Sequence, residues 1–378
     1  MTKHYPKDVY RPTWVEIDLK AVEHNYKLLK RIAGSKVKML CVVKADAYGH
    51  GMLEVSQRLV KLGVDYLGIA SIEEGIRLRR ANIQTPILLF ENILPEFARL
   101  PVKYGLTASV CTMELAESLN RFARKAKKIA RVHIKIDTGM GRLGVWHKEA
   151  LEFVRKINNL SHLEIEGLYT HFPSADSDAD FTKQQIKDFQ FLINDLEKAD
   201  IRVPLCHMAN SMGNAGFPAS RMSMVRVGLM LYGLYPKDSL KQKIKLHPAL
   251  ALKSKIIFIK KACRGRSISY GRTFICSRNT TIATLPVGYQ DGYLRKFSNR
   301  AAVLYQGRRY PVAGRVCMDQ LMVDLGDKSS ARIGDIVTLV GKSGRREISL
   351  EELARIAETI NYELACLIGS RAKRYYLV

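Results

Sequence analysis

The chain has 378 residues and a formal net charge of +25. That is too long for one small core, and a norm of about 150 residues per domain points to two domains. Hydrophobic residues make up 47%, ordinary for a globular protein, and no run is long enough for a membrane-spanning helix. The seven cysteines are scattered, with no Cys-x-x-Cys pair and no His/Cys cluster. This argues against a disulfide frame or a structural metal and for reduced thiols in a cytoplasm. The N-terminal stretch 1–8 has no apolar core of the signal-peptide type. The basic residues are spread along the chain, densest at 121–131 and 253–266. No recognition motif accompanies them, so the charge predicts weak, salt-sensitive polyanion binding rather than a specific nucleic-acid site.

In chain order, residues 14–19 alternate like a strand and 20–32 repeat like a helix. Apolar strand candidates follow at 38–43, 66–69, 87–90, 106–110, 130–137, 163–170, 203–208 and 224–227. Helical patterns lie between most of them, clearest at 112–127, 148–158 and 183–198. Eight such units predict a parallel (β/α)8 TIM-type barrel, whose chemistry gathers at the C-terminal ends of the strands. Those ends carry Lys44, Lys135, His171, Asn210 with Ser211, and Arg226. A polar linker at 238–245 precedes short alternating segments at 255–259, 281–285, 301–305, 321–325 and 336–340. These predict a smaller, mostly antiparallel β domain. The expected division is 1–240 for the barrel and 241–378 for the β domain, with strand 14–19 a candidate member of the second. Ser349 and Glu352 have the spacing of a capping box.

The stretch Met39-Leu40-Cys41-Val42-Val43-Lys44-Ala45-Asp46-Ala47-Tyr48-Gly49-His50-Gly51 reads as a buried strand ending in a lysine. Gly49 and Gly51 are expected to supply the turn into a helix over 52–62. An ordinary strand-end lysine is solvated or ion-paired. One held over a pocket is desolvated, which favours the neutral amine, a nucleophile toward aldehydes. Gly139-Met140-Gly141-Arg142-Leu143-Gly144 matches the dinucleotide pattern G-x-G-x-x-G. It follows the fifth strand rather than the first, and the next strand ends in a histidine instead of an acid, so the glycines are expected to admit a small ligand. Asp176, Asp178 and Asp180 mimic an EF-hand start, but Phe181 stands where glycine is required.

The second half holds Ser269-Tyr270-Gly271-Arg272, Val287-Gly288-Tyr289-Gln290-Asp291-Gly292 and Gly314-Arg315-Val316-Cys317-Met318-Asp319. Together with Val-Val-Lys-Ala-Asp-Ala-Tyr-Gly-His-Gly, Asp-Thr-Gly-Met-Gly-Arg and Thr-His-Phe, in order, they closely resemble the alanine racemases, the fold-type III pyridoxal-phosphate enzymes. The resemblance runs from about Trp14 to the C-terminus. It implies pyridoxal 5′-phosphate carried covalently on Lys44, with Lys44 and Tyr270 as the two catalytic bases on opposite faces of the substrate α-carbon. Lysine and tyrosine side chains ionise near about 10 in water, so both must be tuned downward. It implies a homodimer whose active sites each combine two chains, Tyr270 coming from the partner.

The resemblance further matches Arg226 to an arginine at the cofactor ring nitrogen and His171 to a histidine linking it to the tyrosine. Tyr48, Asn210, Ser211, Gly228, Leu229 and Tyr362 match cofactor-binding positions. Arg142 and Met318 match positions that hold the substrate carboxylate, and Tyr289 lines the site. Lys135 matches a lysine carbamylated in many members, and Arg295 and Arg315 match the substrate approach channel. Gln290 departs from the more usual alanine. The activity implied is interconversion of L-alanine and D-alanine in a bacterial cytoplasm, supplying D-alanine for peptidoglycan. The alternative is a racemase of another small amino acid such as serine, since a pocket rejects one added hydroxyl by only about 100-fold. A decarboxylase of the same fold type lacks its glycine-rich phosphate loop here, a cofactor carrier would not need Tyr270, and charge alone would suggest a polyanion-binding protein.

Overall fold

The computed structural model describes residues 10–378; the stretch 1–8 read above for a leader lies outside the described residues. The chain divides into two compact units, one of residues 22–47 and 52–247, the other of residues 10–21, 48–51 and 248–378. β1 (Thr13–Asp18) opens the described chain and belongs to the second of these.

The larger unit contains β2 (Lys38–Val42), β3 (Tyr66–Ile69), β4 (Ile87–Leu89), β5 (Thr107–Val110), β6 (Ala130–Asp137), the two-residue β7 (Val145–Trp146), β8 (Leu163–Tyr169), β9 (Leu205–His207) and β10 (Met224–Val227). Eight of them run parallel in the order β10-β2-β3-β4-β5-β6-β8-β9, and β7 pairs with β6 off this path. Two backbone bonds draw β9 and β10 together, Ser223 N–H to the Cys206 carbonyl (3.2 Å) and Arg226 N–H to the Ala209 carbonyl (2.9 Å). The result is a nearly closed barrel, with each expected strand in place. The strands are apolar runs because helices and barrel core cover both faces; β3, β4, β5 and β10 are buried throughout. Side-chain caps start the helices between them: Ser71 for Ile72–Arg80, Thr112 for Met113–Lys125 and Asp178 for Ala179–Lys198. Asp178, read above as part of an EF-hand mimic, accepts from Phe181 N–H instead.

The turn after β2 departs from expectation. It begins before the glycines: Ala45, Asp46, Ala47 and Tyr48 have φ of 52°, 52°, 56° and 53°. This is a turn of left-handed helix, which costs roughly 1–2 kcal/mol per non-glycine residue. It is held by Ala47 N–H to the Val43 carbonyl (2.8 Å), Ala45 N–H to Glu74 Oε1 (2.7 Å) and Met52 N–H to Asp46 Oδ1 (2.9 Å). A right-handed helix, Met52–Lys61, follows. Such stored strain concentrates at functional sites.

In the smaller unit, β11 (Leu250–Lys255) pairs antiparallel with β1, and β1 pairs parallel with Lys373–Leu377. That sheet continues through Ile336–Ser343, Ala302–Tyr305 and Arg308–Pro311. A second, antiparallel sheet joins Phe258–Ala262, Thr280–Leu285 and Leu321–Asp324. The strand expected at 255–259 is therefore two strands. Ile256 N–H bonds to the Asp335 carbonyl (2.9 Å) and Ile257 N–H to that of Thr284 (3.0 Å), so the chain changes sheets between adjacent residues. The 238–245 linker is also corrected: it contains a helical turn, Leu240–Lys243, with Leu240 and Ile244 buried. Ser349 caps its helix by accepting from Glu352 N–H (3.1 Å). Among the described residues no helix is long and apolar enough to cross a membrane.

Gly49 has φ +78°, and a Cβ there would lie 2.1 Å from the Ala365 carbonyl oxygen, within the same unit. Gly49→Ala is expected to destabilise the protein by about 3 kcal/mol through strain and clash together. A denaturation midpoint equal to that of the unmodified chain would contradict this.

Candidate active site

The C-terminal ends of the barrel strands collect the polar groups. Arg226 on β10 is buried, and its Nη2 donates to the carbonyls of Thr170 (2.6 Å) and Met208 (3.0 Å) and lies 3.3 Å from His171 Nδ1. Its Nη1 donates to the His207 carbonyl (3.1 Å) and to His207 Nδ1 (2.9 Å). Burial lowers Arg226 to about 10, which leaves it charged at neutral pH. Lys135 is buried on β6 with its ammonium position 4.3 Å from the centre of the Tyr169 ring. Burial first, then Arg226 and Arg142, push its amine well below the ordinary lysine range. Burial, then the charges of Lys135, Arg226, Arg142 and Lys44, push His171 well below the ordinary histidine range, so it is neutral.

The loop after β6 explains the glycine motif. Asp137 accepts from the N–H groups of Gly139, Met140 and Gly141, each at 2.8 Å. The loop wraps its own carboxylate where a dinucleotide loop would wrap a phosphate, and it leaves Arg142 exposed. Ser211 Oγ accepts from Gly228 N–H (3.0 Å) and Met230 N–H (3.4 Å), bringing Ser211, Gly228 and Leu229 into one cluster. Asn210 serves as the cap of Ser211–Gly216, its Oδ1 accepting from Gly213 N–H (2.9 Å).

The smaller unit carries the remaining expected residues. Burial, with Tyr362 and Cys366 beside it, raises the Tyr48 phenol, so Tyr48 and Tyr362 are neighbours. Tyr270 is 71% exposed on a kinked turn in which Ser269 and Gly271 have φ of 66° and 68°. Ser269 Oγ donates to the Arg315 carbonyl (2.6 Å), and the Arg315 guanidinium packs against Gly271. Tyr289 N–H donates to the Cys317 carbonyl (3.0 Å) and Gln290 N–H to that of Met318 (3.2 Å). Arg295 is exposed, and its carbonyl is tied through Ser298 Oγ to Val316 N–H. The structure thus groups Tyr270, Tyr289, Arg315 and Met318 in one set of loops. Asp291 anchors that set. Burial opposes its ionisation, but Arg11, Arg371 and Gly288 N–H hold it below the usual carboxylate range.

Three residues inside the barrel escaped the sequence reading: His133, His207 and Glu166. The available signal was a histidine or carboxylate within a strand expected to be covered on both faces. Burial lowers both histidines, with Arg226 adding to the effect. With His171, that makes three histidines that take up a proton less readily in the folded chain than in the unfolded one. The unfolded state then binds more protons, so stability rises with pH up to about the unperturbed histidine value of 6.5. The stabilisation is complete above that value and lost as pH falls, by up to about 1.4 kcal/mol per pH unit for each histidine. Urea midpoints measured from pH 8 to pH 5 are expected to fall on acidification; a rise would contradict the neutral assignment.

As to fit, the donor set suits a phosphorylated aldehyde cofactor. It offers a strand-end amine at Lys44, a hydroxyl-and-amide cluster for a dianion, and a buried guanidinium at Arg226. The family model described as alanine racemase, N-terminal domain, matches residues 17–236, and the alanine racemase C-terminal domain matches 249–376. The alanine racemase of Halothermothrix orenii is 46% identical over 98% of this chain and 98% of its own length. That of Methanococcus maripaludis is 42% identical over 98% and 100%. The solved alanine racemase of Clostridium difficile 630 superposes with a TM-score of 0.93 at 38% identity, covering 98% of this chain and 97% of that one. That of Bacillus anthracis, with bound L-Ala-P, gives 0.91 at 33% identity over 99% and 96%. The chain belongs to the alanine racemase family.

Proposed function

We propose that this protein interconverts L-alanine and D-alanine with pyridoxal 5′-phosphate attached at Lys44, in a cytoplasm, supplying D-alanine for peptidoglycan. The observation that carries this is the strand-end lysine on its left-handed turn after β2, with Arg226 on β10, the strand paired to β2. Membership of the alanine racemase family supports the substrate. When bound, the cofactor supplies an electron sink that acidifies the α-hydrogen.

The residues take these parts. Lys44 Nζ moves a proton at one face of the α-carbon, and Tyr270 Oη of a second copy moves one at the other. Arg226 has donors only and stays charged, so a ring nitrogen facing it remains unprotonated. His171 Nδ1 accepts from Arg226, which places its own proton on Nε2, where it can stabilise the phenolate of Tyr270. Ser211, Gly228, Leu229, Asn210, Tyr48 and Tyr362 hold the phosphate. Arg142 and Met318 hold the substrate carboxylate, Tyr289 narrows the site, and Arg295 and Arg315 line its approach. Burial pushes the Lys135 amine well below the ordinary lysine range, which favours the free-amine form that adds carbon dioxide to give a carbamate and a released proton. That carbamate would face Arg142 as an anion.

The test is α-hydrogen exchange. Loaded with pyridoxal phosphate in heavy water, the protein is expected to racemise both alanine enantiomers and introduce deuterium at Cα. Absence of any exchange would end this reading.

A further inference from the structure

Inside the barrel, four side chains form a hydrogen-bonded file that runs below the active site. Arg226 Nη1 lies 2.9 Å from His207 Nδ1, His207 Nε2 lies 2.8 Å from His133 Nδ1, and His133 Nε2 lies 3.3 Å from Glu166 Oε2. Arginine only donates. His207 Nδ1 must therefore accept, which puts the His207 proton on Nε2. That nitrogen donates to His133 Nδ1, which puts the His133 proton on Nε2, facing the carboxylate. All three bonds point from guanidinium to carboxylate, and each imidazole is neutral in one tautomer.

The site is built for Glu166. β6 and β8 pair Val132 with Ile165 and then His133 with Gly167, so Glu166 is the extra residue of a β-bulge. Gly167 leaves the room that the His133 ring occupies; a Cβ there would lie 2.5 Å from it. The carboxylate also accepts from Thr107 Oγ1 (3.1 Å), and Arg131 Nη1 approaches to 3.7 Å. Burial opposes its ionisation, but His133, Tyr66 and Thr107 hold it below the usual carboxylate range. Tyr66 and Thr107 are the first residues of β3 and β5, so Glu166 sits at the N-terminal end of the barrel, opposite the catalytic end. Residues there ordinarily serve stability. Apolar side chains would fill this space without burying four polar groups that must all be satisfied.

We propose that Glu166 is a positioning residue for Arg226: it locks His133 and His207 in their Nε2–H tautomers, so that His207 Nδ1 stays an acceptor and holds the guanidinium in one orientation. Its effect on turnover rests on the reading of Arg226 as the partner of the cofactor ring.

The test has two arms. Nitrogen-15 histidine NMR of the unmodified protein, with and without pyridoxal phosphate at pH 7.5, is expected to show His133 and His207 neutral and Nε2-protonated. An Nδ1–H tautomer or an imidazolium at either residue overturns the proposal without any variant. Glu166→Leu is then expected to produce mixed tautomers at both histidines, a shifted absorption band of the bound cofactor, and about a tenfold lower kcat. KM for alanine should stay within about twofold, and Glu166→Asp should restore part of the loss. A folded Glu166→Leu protein with one tautomer and an unchanged band also overturns it. Failure to bind pyridoxal phosphate would instead defeat the functional reading, while the histidine measurement on the cofactor-free protein would still decide this one.

Discussion

Lys44→Ala is expected to reduce alanine racemisation by about 10⁴-fold or more, because it removes a positioned base and the cofactor's covalent anchor together. The loss should be chemical rather than structural. The bonds that hold the left-handed turn come from Ala45 N–H, Ala47 N–H and the Asp46 carboxylate, and alanine tolerates the end of a strand. The unfolding free energy should therefore change by less than about 1 kcal/mol. Borohydride reduction followed by peptide mapping supplies the direct readout: a reduced pyridoxyl group on Lys44 in the unmodified protein and none in the variant. The barrel holds a second buried amine, Lys135, pushed well below the ordinary lysine range by burial and by Arg226 and Arg142, and it is the natural rival for the aldehyde. Lys135→Ala should still trap the cofactor on Lys44. Stoichiometric trapping that survives Lys44→Ala and disappears in Lys135→Ala would transfer the anchoring role to Lys135.

The barrel was legible in the sequence because its strands are covered on both faces and most of them therefore read as short, mainly apolar runs. Where the local pattern misled, a longer-range cause is visible. Residues 255–259 read as one strand because their apolar character is continuous, yet Ile256 and Ile257 bond to different sheets. The left-handed turn could not be read, since Ala45 and Ala47 have no intrinsic preference for it. Glu74, twenty-nine residues from Ala45, helps to impose it. Asn210, matched above to a cofactor-binding position, also caps the helix Ser211–Gly216, a common use of asparagine before a helix that its sequence neighbours did not announce. In the site, family motifs located the residues at strand ends and in loops. They did not mark His133, His207 and Glu166, whose importance comes from a three-dimensional file and a β-bulge with no sequence period.

Tyr270→Phe should lower racemisation by about 10²–10⁴-fold, the contribution expected of one general acid–base group. The two directions must fall together, because L- and D-alanine are equal in free energy and kcat/KM is bound by that equilibrium. The asymmetry appears in hydrogen exchange. Lys44 remains able to remove the proton that faces it, so one enantiomer should still exchange its α-hydrogen in heavy water without inverting, while the other should hardly exchange. Equal and unimpaired exchange of both would exclude Tyr270 as a base. Within a single chain the phenol is 71% exposed, open to the water that a proton transfer must exclude. A partner subunit covering it would supply that exclusion. If the site is shared in this way, Lys44→Ala and Tyr270→Phe proteins are each nearly inactive, but subunit exchange makes hybrids with one intact and one doubly defective site. Random reassortment of a two-fold dimer then restores about a quarter of the unmodified activity. Confirmed exchange with no recovery would place both bases within one chain.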